Sequence, residues 1–138
     1  MCIRDSTYSI HVGRNYPVRK VKGSMDVETV RYVEGEMYLR QLFSTLAAAL
    51  DVFSPDLVIW IAGADNHRND HFGQMMLTVK DIQRRDEVIL GAMLRNRIPV
   101  TLLYGGGYNR QAEYTAKLHR NTVVTAKRLL GETRGLAA

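Results

Sequence analysis

The sequence predicts a parallel α/β fold, a sheet with helices on both faces, and three observations predict it. Two short runs, Leu57-Val58-Ile59-Trp60-Ile61-Ala62 and Pro99-Val100-Thr101-Leu102-Leu103-Tyr104, are apolar and rich in β-branched and aromatic residues, which suits strands buried on both faces. Each run stops at glycine. Amphipathic helical spacing precedes the first run, separates the two and follows the second, the alternation expected of parallel strands joined by crossover helices.

Taken in order, the opening hexamer Met1 to Ser6 resembles translated adapter sequence and is set aside from fold reasoning, so residues 1–7 are expected to be an artefactual or disordered leader. Tyr8 to His11 reads as a short extended segment, and the Gly- and Pro-bearing stretch through Gly23 as loop. From Glu34 to Phe53, Met37, Leu39, Leu42, Phe43, Leu46, Ala49 and Leu50 recur at three- and four-residue spacing, which predicts a helix. It ends at Ser54-Pro55, because the residue before a proline disfavours helical geometry. The strand 57–62 follows, then a helix over Val79 to Asn96, the strand 99–104, the run Gly105-Gly106-Gly107, and a third helix from Arg110 to Leu130. A sheet covered on both faces needs more strands than these, so residues 8–138 are expected to form the C-terminal part of a domain truncated on its N-terminal side.

Composition narrows the function classes. With 138 residues, 46% of them hydrophobic, the chain holds one domain or part of one. No apolar run approaches the ~20 residues of a membrane helix, and no basic start leads into an apolar stretch, so a cytoplasmic protein is expected. The single cysteine, Cys2, supports neither a disulfide framework nor a catalytic thiol. The net charge of +5 is dispersed over Arg19-Lys20, Arg84-Arg85, Arg95, Arg97 and Lys127-Arg128, which reads as solvated helix faces rather than a nucleic-acid surface.

Ligands of open parallel sheets bind beyond the carboxyl ends of the strands, which directs attention to two loops. After Ala62 comes Gly63-Ala64-Asp65, with Asp70 and Gly73 further on. A carboxylate held there by rigid backbone suits a metal ligand, although an aspartate can equally bond its own turn. After Tyr104 come Gly105-Gly106-Gly107-Tyr108-Asn109, where the glycines permit close approach of backbone to a ligand and Tyr108 can present a hydroxyl. On its own the glycine run also fits phosphate binding or a plain tight turn. A phosphate site is the weaker reading, because the spaced Gly-x-Gly-x-x-Gly pattern and a Lys-Ser/Thr ending are missing.

Together the two loops, some forty residues apart, resemble the zinc-dependent histone deacetylase family, with its class IV branch and its acetoin-utilisation and acetylpolyamine deacetylase relatives. Asn15-Tyr16-Pro17, Pro55-Asp56-Leu57-Val58, Leu77-Thr78-Val79, Arg85-Asp86 and Ile98-Pro99-Val100 fall where that family has similar residues, and the resemblance runs from Tyr8 to about Val124. It implies an arginase/deacetylase-like three-layer fold and a hydrolase that removes acetyl from N-acetyl-lysine or an acetylated polyamine. It also implies one Zn2+ per complete site, with Asp65 as the second of the family's two ligating aspartates and Tyr108 as its catalytic tyrosine. Tyr16 and Phe72 match apolar walls of the acyl-amine tunnel, and Gly106 matches the glycine at its floor. Asp70 is assigned to holding its loop.

The resemblance also marks departures. The family's paired catalytic histidines and its Asp-x-His ligands have no counterpart here, so the chain alone is expected to be inactive. His67 copies the Asp-x-His spacing after Asp65, but in the wrong loop, and is not assigned to the metal. His71 stands where an arginine is usual, which leaves the pose of the loop open, and His11 and His119 read as surface or packing residues. A non-catalytic module that binds an acylated amine in the same crevice is the alternative of a different class.

Overall fold

The computed structural model describes residues 5–135, with side chains as far as Glu132. Most of the expected leader, Met1 to Arg4 with Cys2, lies outside the described residues. The elements run β1 (Tyr8–Val12), β2 (Met25–Thr29), α1 (Gly35–Phe53), β3 (Val58–Ala62), α2 (Val79–Arg95), β4 (Val100–Tyr104) and α3 (Ala112–Gly135). β1 pairs with β2 and β3 with β4, both in parallel. In the second pair Val58 faces Val100 and Ala62 faces Tyr104, so the two strands end level with each other.

The helix boundaries have local causes. α1 stops because Ser54 turns left-handed, at φ 43° and ψ 59°, and its amide returns to the Leu50 carbonyl. α2 starts on a reciprocal cap, in which the Thr78 hydroxyl accepts from the Asp81 amide at 3.2 Å and an Asp81 carboxylate oxygen accepts from the Thr78 amide at 2.8 Å. β2 was not among the expected elements. Its period of two is plain once the pairing is known: Met25, Val27 and Thr29 turn inward, and Asp26 and Glu28 turn to solvent.

The core gathers Tyr38, Leu42 and Leu46 of α1, Ile82, Ile89 and Met93 of α2 and Leu118 of α3, with Leu77 just before α2. Full burial of a leucine such as Leu42 or Leu77 stabilises by ~1.5–3 kcal/mol. Val58, Trp60 and Val100 pack against this cluster from one face of β3 and β4. The other face differs from the expected double cover: Ile59 and Ile61 are 63% and 65% exposed, and Leu103 is exposed beside them. Strand alternation explains this, because odd-numbered side chains point away from the helices and no described segment lies over them. No helix among the described residues is long and apolar enough to cross a membrane.

Candidate active site

Because β3 and β4 are parallel and level, the loops that follow them leave the sheet at one edge. They touch at once. The Ala64 amide donates to the Gly106 carbonyl at 2.5 Å, and a Cβ on Gly105 would lie 2.8 Å from the Gly63 Cα, so glycine is required there by close approach. The Asp65 carboxylate sits in the gap between the loops. A Cβ on Gly63 would stand 2.7 Å from its Oδ1, and one on Gly106 would stand 3.1 Å from its Oδ2. Burial, and then the charge of Asp70, raise the Asp65 carboxyl above its usual range, while its own amide, Arg85 and His119 pull the other way.

Asp70 holds more than its own loop. Its Oδ1 accepts from the Phe72 and Gly73 amides at 2.8 and 2.9 Å, and its Oδ2 accepts from the Tyr108 amide at 2.5 Å. Phe72 and Tyr108 then meet edge to face, with ring centres 5.3 Å apart and planes at 86°. The structure thus brings together Asp65, Gly106, Tyr108 and Phe72. Tyr16 lies farther out: it lines an open cleft of about 530 Å³ whose wall also includes Ser9, His11, Lys20 and Asp65. Lys20 shapes that wall by donating to the Asn15 side-chain oxygen at 2.8 Å and the Pro17 carbonyl at 3.2 Å. A smaller groove between α1 and α2, beside Phe43 and Leu46, is remote from the strand ends.

The histidines divide by packing. His67 is 2% exposed, its Nδ1 accepts from the Asn69 amide at 3.2 Å and its Nε2 lies 3.4 Å from the Tyr114 hydroxyl. Both ring nitrogens are thereby engaged in joining the loop to α3, and burial lowers the imidazole's proton affinity. In this structure it is a packing residue, a role its sequence context left open. His71 is exposed and its Nε2 accepts from the Arg110 guanidinium at 3.1 Å. His119 packs edge-on against Tyr104 behind the glycine run, and burial lowers its proton affinity too. His11 bonds Ser9 at 2.8 Å and borders the same cleft as Asp65, which its sequence context did not signal.

One reading needs correction. Arg85, grouped with the solvated basic residues, is 4% exposed, and its neighbour Asp86 is fully buried. The guanidinium donates to the Gly63 carbonyl at 2.6 Å, contacts Asp86 Oδ1 at 2.7 and 2.8 Å, and lies 5.6 Å from the centre of the Trp60 ring. Burial raises the Asp86 carboxyl, against the pull of Arg85 and of the Thr122 hydroxyl, which donates to Oδ2 at 2.6 Å. The available signal was helical phase: Ile82, Arg85, Asp86, Ile89 and Met93 share one face of α2, so the charged pair falls on its apolar stripe.

Asp65 fits the part of a single metal ligand: an anionic oxygen donor on rigid backbone, in a gap where only glycine leaves room. Among the described residues no three His, Cys, Asp or Glu side chains converge to hold a metal ion, so these residues alone do not enclose one. Fold and site together define a parallel α/β protein with its candidate chemistry at the strand ends. The histone deacetylase domain family matches residues 6–124, and the chain belongs to that family. It is 32% identical over 102 residues to an uncharacterised protein of Picosynechococcus sp., covering 74% of this chain and 34% of that one. It is 33% identical over 86 residues to histone deacetylase 2 of Arabidopsis thaliana, covering 62% and 22%. Among solved structures it is similar to an acetylpolyamine aminohydrolase from Burkholderia pseudomallei, with TM-score 0.71, 20% identity, and coverage of 86% of this chain and 36% of that one. It is also similar to the histone deacetylase Clr3, with TM-score 0.65, 24% identity, and coverage of 90% and 22%. The chain thus spans about a third or less of the length of these relatives.

Proposed function

We propose that this chain is the C-terminal part of a zinc-dependent deacetylase acting on N-acetyl-lysine or a related acetylated amine, with Asp65 a zinc ligand and Tyr108 the catalytic tyrosine. The observation that carries the reading is the meeting of Asp65, Gly106 and Tyr108 at one edge of β3 and β4, in a chain of this family. When bound, zinc supplies polarisation of the amide carbonyl and acidification of a water. The chain's own part is positioning. The Tyr108 hydroxyl donates to the substrate carbonyl oxygen as negative charge grows on it, and a donor of this kind is worth ~10²–10³ in turnover. Asp70 fixes the Tyr108 backbone, Phe72 supports the Tyr108 ring and, with Tyr16, walls the acyl tunnel, and Gly106 leaves its floor open. The remaining ligands and the acid–base histidines come from sequence beyond this chain, which by itself is inactive.

The test is the full-length gene product, loaded with zinc and assayed on an acetyl-lysine peptide and an acetylated polyamine. Turnover of either supports the reading. Tight binding of acetylated amine with no turnover, together with no upstream His-His or Asp-x-His, would replace it with the binding-module reading.

A further inference from the structure

We propose that Arg85 is a positioning residue for both strand-end loops, acting by clamping the Gly63–Ala64 peptide. That one peptide unit is held from two sides: its carbonyl accepts from Arg85 at 2.6 Å, and its amide donates to the Gly106 carbonyl at 2.5 Å. Asp65 is the next residue on one side of this junction, and Tyr108 stands two residues past Gly106 on the other. Turning the peptide would break both bonds and let the loops part.

Arg85 is itself fixed. Asp86 takes two of its nitrogens, the Thr122 hydroxyl holds Asp86 from α3, and the guanidinium lies over Trp60 of β3. The same α3 packs beneath the glycine run, since a Cβ on Gly107 would fall 2.5 Å from Thr115 Cγ2. Stability alone is a weak reason for the pair. A buried ion pair is commonly no better than apolar residues of equal volume, and its surroundings on α2 are Ile82, Ile89 and Met93. What an apolar replacement cannot do is donate to a backbone carbonyl beside the site.

The proposal rests on the zinc reading only for its activity arm, so the test has a second arm that does not need zinc. In the full-length gene product, Arg85→Met/Asp86→Leu removes both charges and strands neither, and Arg85→Lys keeps the charge but replaces the planar guanidinium fork with a single nitrogen. Hydrogen exchange in the metal-stripped proteins should quicken ~10-fold or more over residues 62–66 while the Ile89–Met93 segment keeps its protection. Zinc affinity should fall ~10–100-fold, and kcat should fall with KM little changed. Arg85→Lys should show a smaller loss in each, and it decides the matter if the double variant does not fold. Wild-type exchange at 62–66 and wild-type zinc affinity in a folded variant would overturn the proposal. If exchange quickens but the control Asp65→Ala keeps its zinc and rate, the clamp stands and the zinc reading fails.

Discussion

Asp70 and Tyr108, 38 residues apart, are joined by a hydrogen bond from the Tyr108 amide to Asp70 Oδ2 at 2.5 Å. One carboxylate thereby serves three backbone donors on two loops, each such bond to a charged acceptor worth ~1.5–3 kcal/mol. Asp70→Ala in the full-length protein should lower the melting temperature and cut turnover, with zinc remaining near one per chain, because both Asp70 oxygens are taken by backbone amides and the proposal assigns it to the loop rather than to the metal. Asp70→Asn retains one carbonyl acceptor and should recover part of both losses. Zinc lost in step with activity in Asp70→Ala would make Asp70 a ligand and contradict this division.

The open face of β3 and β4 carries Leu57, Ile59, Ile61 and Leu103, all substantially exposed. A contiguous apolar patch on an uncovered sheet promotes association. Expressed by itself, this chain should bind a hydrophobic dye or aggregate, and Ile59→Thr/Ile61→Thr should reduce both. A soluble monomer with a sharp cooperative melt and no dye binding would contradict the account.

The raised Asp65 carboxyl has a pH signature. With the metal stripped, its proton is held more tightly in the folded chain than in the unfolded one, where an aspartate titrates near ~3.9. That contribution is fully present below the unfolded value and is lost as pH rises through the raised folded value. Asp65→Asn cannot ionise, so its stability relative to metal-free wild type should grow as pH rises through that window and level off above it. A difference independent of pH would show that burial does not perturb Asp65.

Much of this architecture was legible from local pattern. α1, α2, β3 and β4 fall within one or two residues of expectation because their periodicity and their stops at Ser54, Gly63 and Gly105 act locally. The parallel pairing of β3 and β4, and the common edge of Asp65 and Tyr108, followed from strand and helix order. What the sequence concealed depended on tertiary neighbours. The strand 25–29 is too short and polar to stand out without β1 beside it. Arg85 looked like any surface arginine until α3 supplied Thr122 and the loop after β3 supplied the Gly63 carbonyl. The bond from Asp70 to Tyr108 spans two loops and has no trace in either alone.

The central claim is that Asp65 and Tyr108 serve one site in different ways, and one paired measurement reaches it most directly: zinc content and deacetylation rate on the full-length Asp65→Ala and Tyr108→Phe variants. Asp65→Ala removes the proposed anionic ligand and should lose the metal and the activity together. Tyr108→Phe removes only a hydroxyl, so zinc should stay near one per chain while turnover falls ~10²–10³-fold. If Asp65→Ala kept both its zinc and its rate, the assignment of the metal site, and with it the proposed activity, would be contradicted.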